Sequence, residues 1–307
     1  MLYLPHKILT FLFQDQNVRR RYIFVSECAA QLDEIIGMER DCGGQPMKRV
    51  TAFVGSARKK HTYNAVRKFM DHLQSLGDVE CEIVALSDYQ LGTCRGCKLC
   101  FEKGEEFCPL KDDRDVLIKK MMASDGVVFA SPNYAFQVSA IMKIFLDRLA
   151  FICHRPRFFG KTFTSIVTQG ICGGNKIVRY LDWVGKVLGF NTVKGSCLTA
   201  LEPMTETEKL KIDRAIARHS KRFYKRLIKL DYPVPTLFKL MGFRMARTSM
   251  RLELDDTNCD YRYYKDKGWF ESDYYYPVRL GVLKKAVGNL FDWVQARKAR
   301  NRKALPL

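Results

Sequence analysis

The stretch "CRGCKLCFEKGEEFCP" places Cys94, Cys97, Cys100 and Cys108 in a C-x2-C-x2-C-x7-C spacing followed by Pro109. Thiolates three residues apart can wrap one face of an iron–sulfur cubane, and a more distant cysteine can close the fourth corner. Four thiolates also suit tetrahedral zinc, although the usual zinc pattern separates two C-x2-C pairs by a long spacer that is missing here. A thiol loop that holds no metal is the third reading. The other seven of the 11 cysteines, at 28, 42, 81, 153, 172, 197 and 259, are isolated and read as packing residues. The first residues do not read as an export signal, so clustered thiols argue for a reducing, cytoplasmic setting without structural disulfides.

Three further stretches carry polar and glycine-rich chemistry. "GSARKKHTYN" (55–64) has neither G-x-G-x-x-G nor a Walker lysine loop. It offers one glycine, then Ser56, Arg58, His61 and Thr62 leading into a helix, which suits a terminal phosphate. In "SPNYAFQVSAIMKIFLDRL" (131–149) Pro132 stiffens a turn, and Tyr134 and Phe136 supply flat apolar surface. In "TQGICGGN" (168–175) Gly170, Gly173 and Gly174 let a planar ligand approach the backbone. Each stretch alone reads equally well as an ordinary loop or a solvated basic turn.

The elements around them give these loops a common address. Short apolar runs at 49–54, 79–86, 126–131, 162–168 and 192–198 read as five buried strands. Helical spacing intervenes at about 62–76, 112–123, 138–153 and 176–188, with the acids of "DDRD" at the positive start of the second helix. Buried strands alternating with helices make an α/β fold, a parallel sheet covered on both faces. Ligands bind such sheets beyond the carboxyl ends of the strands, where the strand order switches. The three loops follow strands one, three and four, and together they read as the site of one mononucleotide with a large flat head.

The motifs "GSARKKHT", the cysteine block with "CPLKDDRD", and "SPNYAFQVSAIMKIFLDR" resemble the NAD(P)H-dependent FMN reductase-like flavoproteins, and within these the iron–sulfur flavoproteins. The resemblance covers roughly 48–200 and implies a flavodoxin-like, doubly wound, five-stranded parallel sheet. It implies FMN as cofactor, NAD(P)H as electron donor and a 4Fe–4S cluster on Cys94, Cys97, Cys100 and Cys108. Carried over, Ser56, Arg58, His61 and Thr62 hold the FMN phosphate. Ser131, Pro132, Asn133, Tyr134 and Phe136 flank the ribityl chain and ring, and Gly170, Gly173 and Gly174 meet the ring's pyrimidine edge. Ala57 stands where the family usually has proline, and His61 where asparagine or serine is common. A cluster-free quinone or nitro reductase and a non-enzymatic, flavodoxin-like electron carrier are the alternative functions. No acid–base residue is nominated, because the redox chemistry belongs to the cofactor.

At 47% hydrophobic and 28% charged residues the chain reads as globular. Residues 1–46 read either as an N-terminal arm or as an over-extended start before "MKRVTAFVGS". Residues 47–203 form the flavin domain, with the cysteine loop at 92–109. Of the net charge of +19, residues 204–307 carry +12, from 24 basic and 12 acidic groups. This third reads as a mostly helical basic extension, with amphipathic helices at 204–230 and 280–303 and a tyrosine-rich stretch between. Leu283, Val287, Leu290 and Val294 fall in line on the last helix. It is expected to pack on the flavin domain or on a second subunit of a homo-oligomer with its basic face in solvent, or to make peripheral contact with anionic lipid. No nucleic-acid-binding module is recognisable, so no such partner is expected. A small-molecule or protein electron acceptor completes the expected partners.

Overall fold

Strand β1 (Lys48–Val54) turns alternate side chains to opposite faces of a sheet that buries both. In the computed structural model, which describes residues 47–229 and 231–303, β1 pairs in parallel with β2 (Val79–Ala85) and β3 (Gly126–Pro132). The order continues through β4 (Thr162–Gln169) to β5 (Asn191–Thr192), giving β2-β1-β3-β4-β5. The order reverses beside β1, and the carboxyl ends of β1 and β3 open a crevice there.

The expected fifth strand is interrupted. β5 pairs with the start of β4, and β6 (Ser196–Thr199) pairs with its end. Asp182 causes the detour between them. Its buried carboxylate accepts Ser165 Oγ at 2.7 Å and the Gly195 amide at 3.0 Å. A Cβ at Gly195 would lie 2.1 Å from Ser165 Oγ, so only glycine lets the chain pass this close.

One face of the sheet carries α1 (His61–Gln74), whose Val66, Phe69, Met70 and Leu73 pack on Val50, Ala52 and Val54. The opposite face carries α3 (Arg114–Ala123), α4 (Ala140–Arg148), α5 (Ala150–His154) and α6 (Gly174–Val187), which enclose Phe53, Phe129, Phe145 and Phe163. The helix expected over 138–153 is two helices, because the chain leaves helical geometry at Leu149. Between β2 and α3 lie the cysteine loop and its short helix α2 (Leu99–Glu102).

Helix α7 (Glu206–Leu227), read from sequence as the start of the extension, covers the sheet beside α1. Ile216, Phe223 and Leu227 join the same core, and Gly126 leaves room for the Phe223 ring. Thr205 and Glu208 start α7 with a reciprocal capping box. Beyond it, α8 (Leu237–Glu253) and α9 (Cys259–Asp266) flank an aromatic core of Phe243, Tyr264, Trp269 and Tyr274, and α10 (Val282–Lys303) packs on α8. Asp292 ties α10 to α8 by accepting Arg244, Arg247 and Thr248. The readings for residues 1–46 lie outside the described residues. Among the described residues no helix is long and apolar enough to cross a membrane.

Candidate cofactor site and cysteine loop

A cavity of about 220 Å³ lies past the carboxyl ends of β1, β3 and β4. It gathers Ser56, Arg58, His61, Thr62, Pro132, Asn133, Tyr134 and Gly170 from the three loops read in the sequence. Thr168, Gln169, Ala200 and Glu202, which the sequence reading missed, also line it. Glu202 lies beyond β6, where no motif marks it.

The first loop is built to leave donors free. The Ser56 hydroxyl donates to the Arg58 carbonyl at 2.8 Å and folds the loop over itself. The amides of Ala57, Arg58, Lys59, His61, Thr62 and Tyr63 donate to no backbone carbonyl among the described residues. Arg58 is exposed and makes no ion pair there. Free amides at the positive end of a 14-residue helix, beside an uncommitted guanidinium, suit a phosphate. Thr62 and Thr168 join α1 to β4 through a 2.7 Å hydroxyl bond, and His61 Nε2 lies 3.2 Å from Glu202 Oε1.

The second loop is a tight hairpin. Tyr134 and Gln137 exchange both backbone hydrogen bonds around Ala135 and Phe136, whose φ values are 47° and 62°. Two positive φ angles without glycine are uncommon and mark a turn held by its surroundings. Phe136 is thereby held over Gly173, where φ is +90° and a Cβ would come within 2.7 Å of the ring. Asn133 Nδ2 donates to the Cys172 carbonyl at 2.8 Å and joins the second loop to the third. Its Oδ1 is buried and finds no donor among the described residues. That open acceptor, in the wall of the cavity, suits a ribityl hydroxyl or the imide hydrogen of a flavin.

Four sequence candidates do not line the cavity: Phe136 and Gly173, which pack on each other, and the buried Ser131 and Gly174. Ser131 is fully buried, donates to the Pro132 carbonyl and accepts the Ser139 amide. Gly174 is buried at the start of α6 with its amide donated to Gln169 Oε1 at 2.7 Å. Both shape the loops and leave the ligand to their neighbours.

All four cysteines of the block line a second cavity, of about 70 Å³. Positive φ at Gly96, Lys98 and Gly104 turns the backbone between them. Asp112 fastens the loop by accepting the Gly92 amide and Arg148 Nη2, both at 2.8 Å. Arg148 Nη1 donates to Cys108 Sγ at 3.0 Å. Burial opposes ionisation of Cys108, but Arg148 and nearby Arg114 outweigh it and lower the thiol below its ordinary range. Burial, with Cys108 and Cys94 beside it, raises Cys100. Among the described residues no three His, Cys, Asp or Glu side chains converge on a single ion. Four thiols on one cavity, with the buried Arg114 and Arg148 guanidiniums beside them to balance negative charge, form a donor set that suits a thiolate-bound group.

The family model described as NADPH-dependent FMN reductase matches residues 48–201. An iron-sulfur flavoprotein of Archaeoglobus fulgidus is 30% identical over 238 residues, covering 72% of this chain and 99% of its own. One from Methanocaldococcus jannaschii is 38% identical over 101 residues, 33% of this chain and 51% of that relative. Among solved structures, an NAD(P)H:quinone oxidoreductase from Methanothermobacter marburgensis has a TM-score of 0.46 at 16% identity, over 57% of this chain and 96% of that one. With the matched segment running from β1 through β6, and the Archaeoglobus relative aligned over nearly its whole length, this chain belongs to the NADPH-dependent FMN reductase family, alongside its iron-sulfur flavoproteins.

Proposed function

We propose that the chain is an FMN-dependent oxidoreductase that uses NADH or NADPH as electron donor and serves a small-molecule or protein acceptor. In this reading Cys94, Cys97, Cys100 and Cys108 hold a 4Fe–4S cluster. The observation that carries it is the convergence of free phosphate donors, an orphaned acceptor and a flat apolar rim on one crevice at the switch in strand order. FMN bound there supplies exchange between hydride transfer and single-electron release, and a cluster supplies a one-electron site.

The residues have distinct tasks. Arg58 and the amides at the start of α1 bind the phosphate, with Thr62 held in place by Thr168. Asn133 Oδ1 accepts from the ligand while its amide group fixes the third loop. Phe136, over Gly173, bounds the ring pocket and limits access of water. Arg148 and Arg114 offset thiolate charge at Cys108. The contribution of these groups is orientation and electrostatics, with no acid–base residue required.

The test is anaerobic mixing of FMN-loaded protein with NADH or NADPH, followed by turnover with artificial acceptors. The reading expects the flavin absorbance to bleach and the nicotinamide to be oxidised catalytically. Tight FMN binding without nicotinamide oxidation would make the protein an electron carrier instead.

A further inference from the structure

Apart from the flavin crevice, a cavity of about 470 Å³ opens between α6 and α8, with Cys153 of α5 in its wall. Its walls are mostly apolar and rich in aromatic rings: Trp183 from α6, Phe238 and Phe243 from α8, and Tyr274 and Tyr275 from the segment before α10. Trp183 and Phe238 are 44% and 68% exposed, large apolar surfaces left to water at the edge of the cavity. The volume falls within the roughly 300–1,000 Å³ typical of small-molecule pockets, which favour junctions such as this one between sheet and helical layers.

Two observations identify what the cavity lacks. Lys186 and Lys239 line it, no acidic residue does, and neither lysine forms an ion pair among the described residues. Burial, then the neighbouring cations Lys186 and Arg226, push the Lys239 ammonium below its ordinary range. Arg226 is paired with Asp231 and Lys186 lies near Asp182, but no acid pairs with Lys239 itself among the described residues, so a half-buried cation there carries a cost that a bound anion removes. The second observation is Gly242, which lines the cavity from the interior of α8. Glycine inside a helix costs about 1 kcal/mol against alanine, and here neither backbone nor packing asks for it. Its φ is not positive, and a Cβ would meet nothing within 4 Å. The missing side chain leaves a bare helix wall against which a ligand can lie.

We propose that this cavity binds an amphipathic organic anion, with its apolar body along Gly242 and the aromatic wall and its carboxylate between Lys186 and Lys239. The site is distinct from the flavin crevice. Gly174 and Lys186 lie near opposite ends of α6, and twelve residues of helix span about 18 Å. The proposal does not depend on flavin chemistry and survives or fails apart from it.

The test uses the full chain, with decanoate as probe and 1-decanol and acetate as comparisons, titrated by calorimetry below the concentration at which decanoate forms micelles. Decanoate should bind at one site per chain, at least about ten-fold more tightly than decanol, and acetate should show no binding. Lys239→Met should reduce decanoate affinity about ten-fold and leave decanol unchanged. Gly242→Leu, whose Cβ meets nothing within 4 Å and whose side chain would occupy the bare helix wall, should abolish both. Circular dichroism and thermal unfolding of each variant report that the fold is intact. Absence of decanoate binding to the unaltered chain overturns the proposal. So does decanoate binding that both variants retain, or a decanol affinity equal to that of decanoate.

Discussion

Arg155 and Asp260 form an ion pair sealed from solvent, the guanidinium fully covered and the carboxylate 4% exposed. The same guanidinium donates through Nη2 to the Cys100 carbonyl at 2.7 Å and to Glu105 Oε2 at 2.9 Å. A residue of α9 therefore holds the arginine that holds the cysteine loop. Asp260→Asn leaves a buried cation short of its partner, which costs on the order of 3–5 kcal/mol. Urea unfolding should show a loss of that size, and Cys100 should react faster with alkylating reagents under native conditions. FMN affinity should not change.

Glu105 supplies a pH-dependent part of the same clamp. Burial by itself would raise its carboxyl, but Arg157 and Arg155 outweigh burial and hold it below the ordinary carboxylate range. The stabilisation is present above the unfolded value of about 4.3 and is lost as pH falls through the lower folded value. Glu105→Gln should flatten the acid limb of the stability curve below about pH 4 relative to the unaltered chain. An unchanged acid limb would mean the carboxylate gains nothing from its arginines.

His219 acts nearer neutrality. Burial, then the Arg222 charge, lowers its pKa to about 3, and its Nε2 shares a 2.7 Å hydrogen bond with Thr164 Oγ1. Below about pH 6.5 the unfolded chain takes up a proton that the folded chain refuses, so acid favours unfolding. The stability is complete above that pH and falls by up to about 1.4 kcal/mol per pH unit below it. Between pH 6.5 and 5 the unaltered chain should lose about 1.5–2 kcal/mol more than His219→Gln, measured by denaturant titration.

For the flavin crevice, Arg58→Ala removes a charge-assisted phosphate contact worth about 1.5–3 kcal/mol. FMN affinity should fall roughly ten- to a hundred-fold, while the stability of the unliganded protein is unchanged, since Arg58 is exposed and makes no ion pair among the described residues. Undiminished affinity would put the phosphate elsewhere.

For the thiols, anaerobically reconstituted protein should contain about four irons and four sulfides per chain. Cys97→Ser should remove the broad cluster absorption and leave most FMN bound, because the flavin loops follow other strands. Protein that takes up neither iron nor sulfide would leave a zinc site or bare thiols, and metal analysis separates those.

The strands and the three flavin loops were legible because doubly buried parallel strands read as unbroken apolar runs, and their carboxyl ends bear the special residues. Periodicity put Leu283 and Leu290 in line on α10 without saying which face docks on α8; they are 76% and 54% exposed, while Gly288, Gln295 and Ala299 are buried. Gly288 admits Arg244, whose attachment to Asp292 decides which face docks. A stripe of hydrophobicity carries no trace of that ion pair. The clamp on the cysteine loop was illegible for the same reason, since Glu105, Arg155 and Asp260 meet only in three dimensions.

Folding on the ribosome proceeds from the N-terminus, and the position of α7 sets when this sheet can close. Val50, Ala52 and Val54 emerge early, yet Phe223 and Leu227 of the same core arrive only after every strand has been made. Such distant partners slow assembly and leave a nascent sheet with one apolar face half-clothed. Asp260 comes later still, so the thiol loop is synthesised, and open to metal or oxidant, well before the residue that anchors its arginine exists. The late segments of the chain thus set when the sheet and the thiol loop are closed during synthesis.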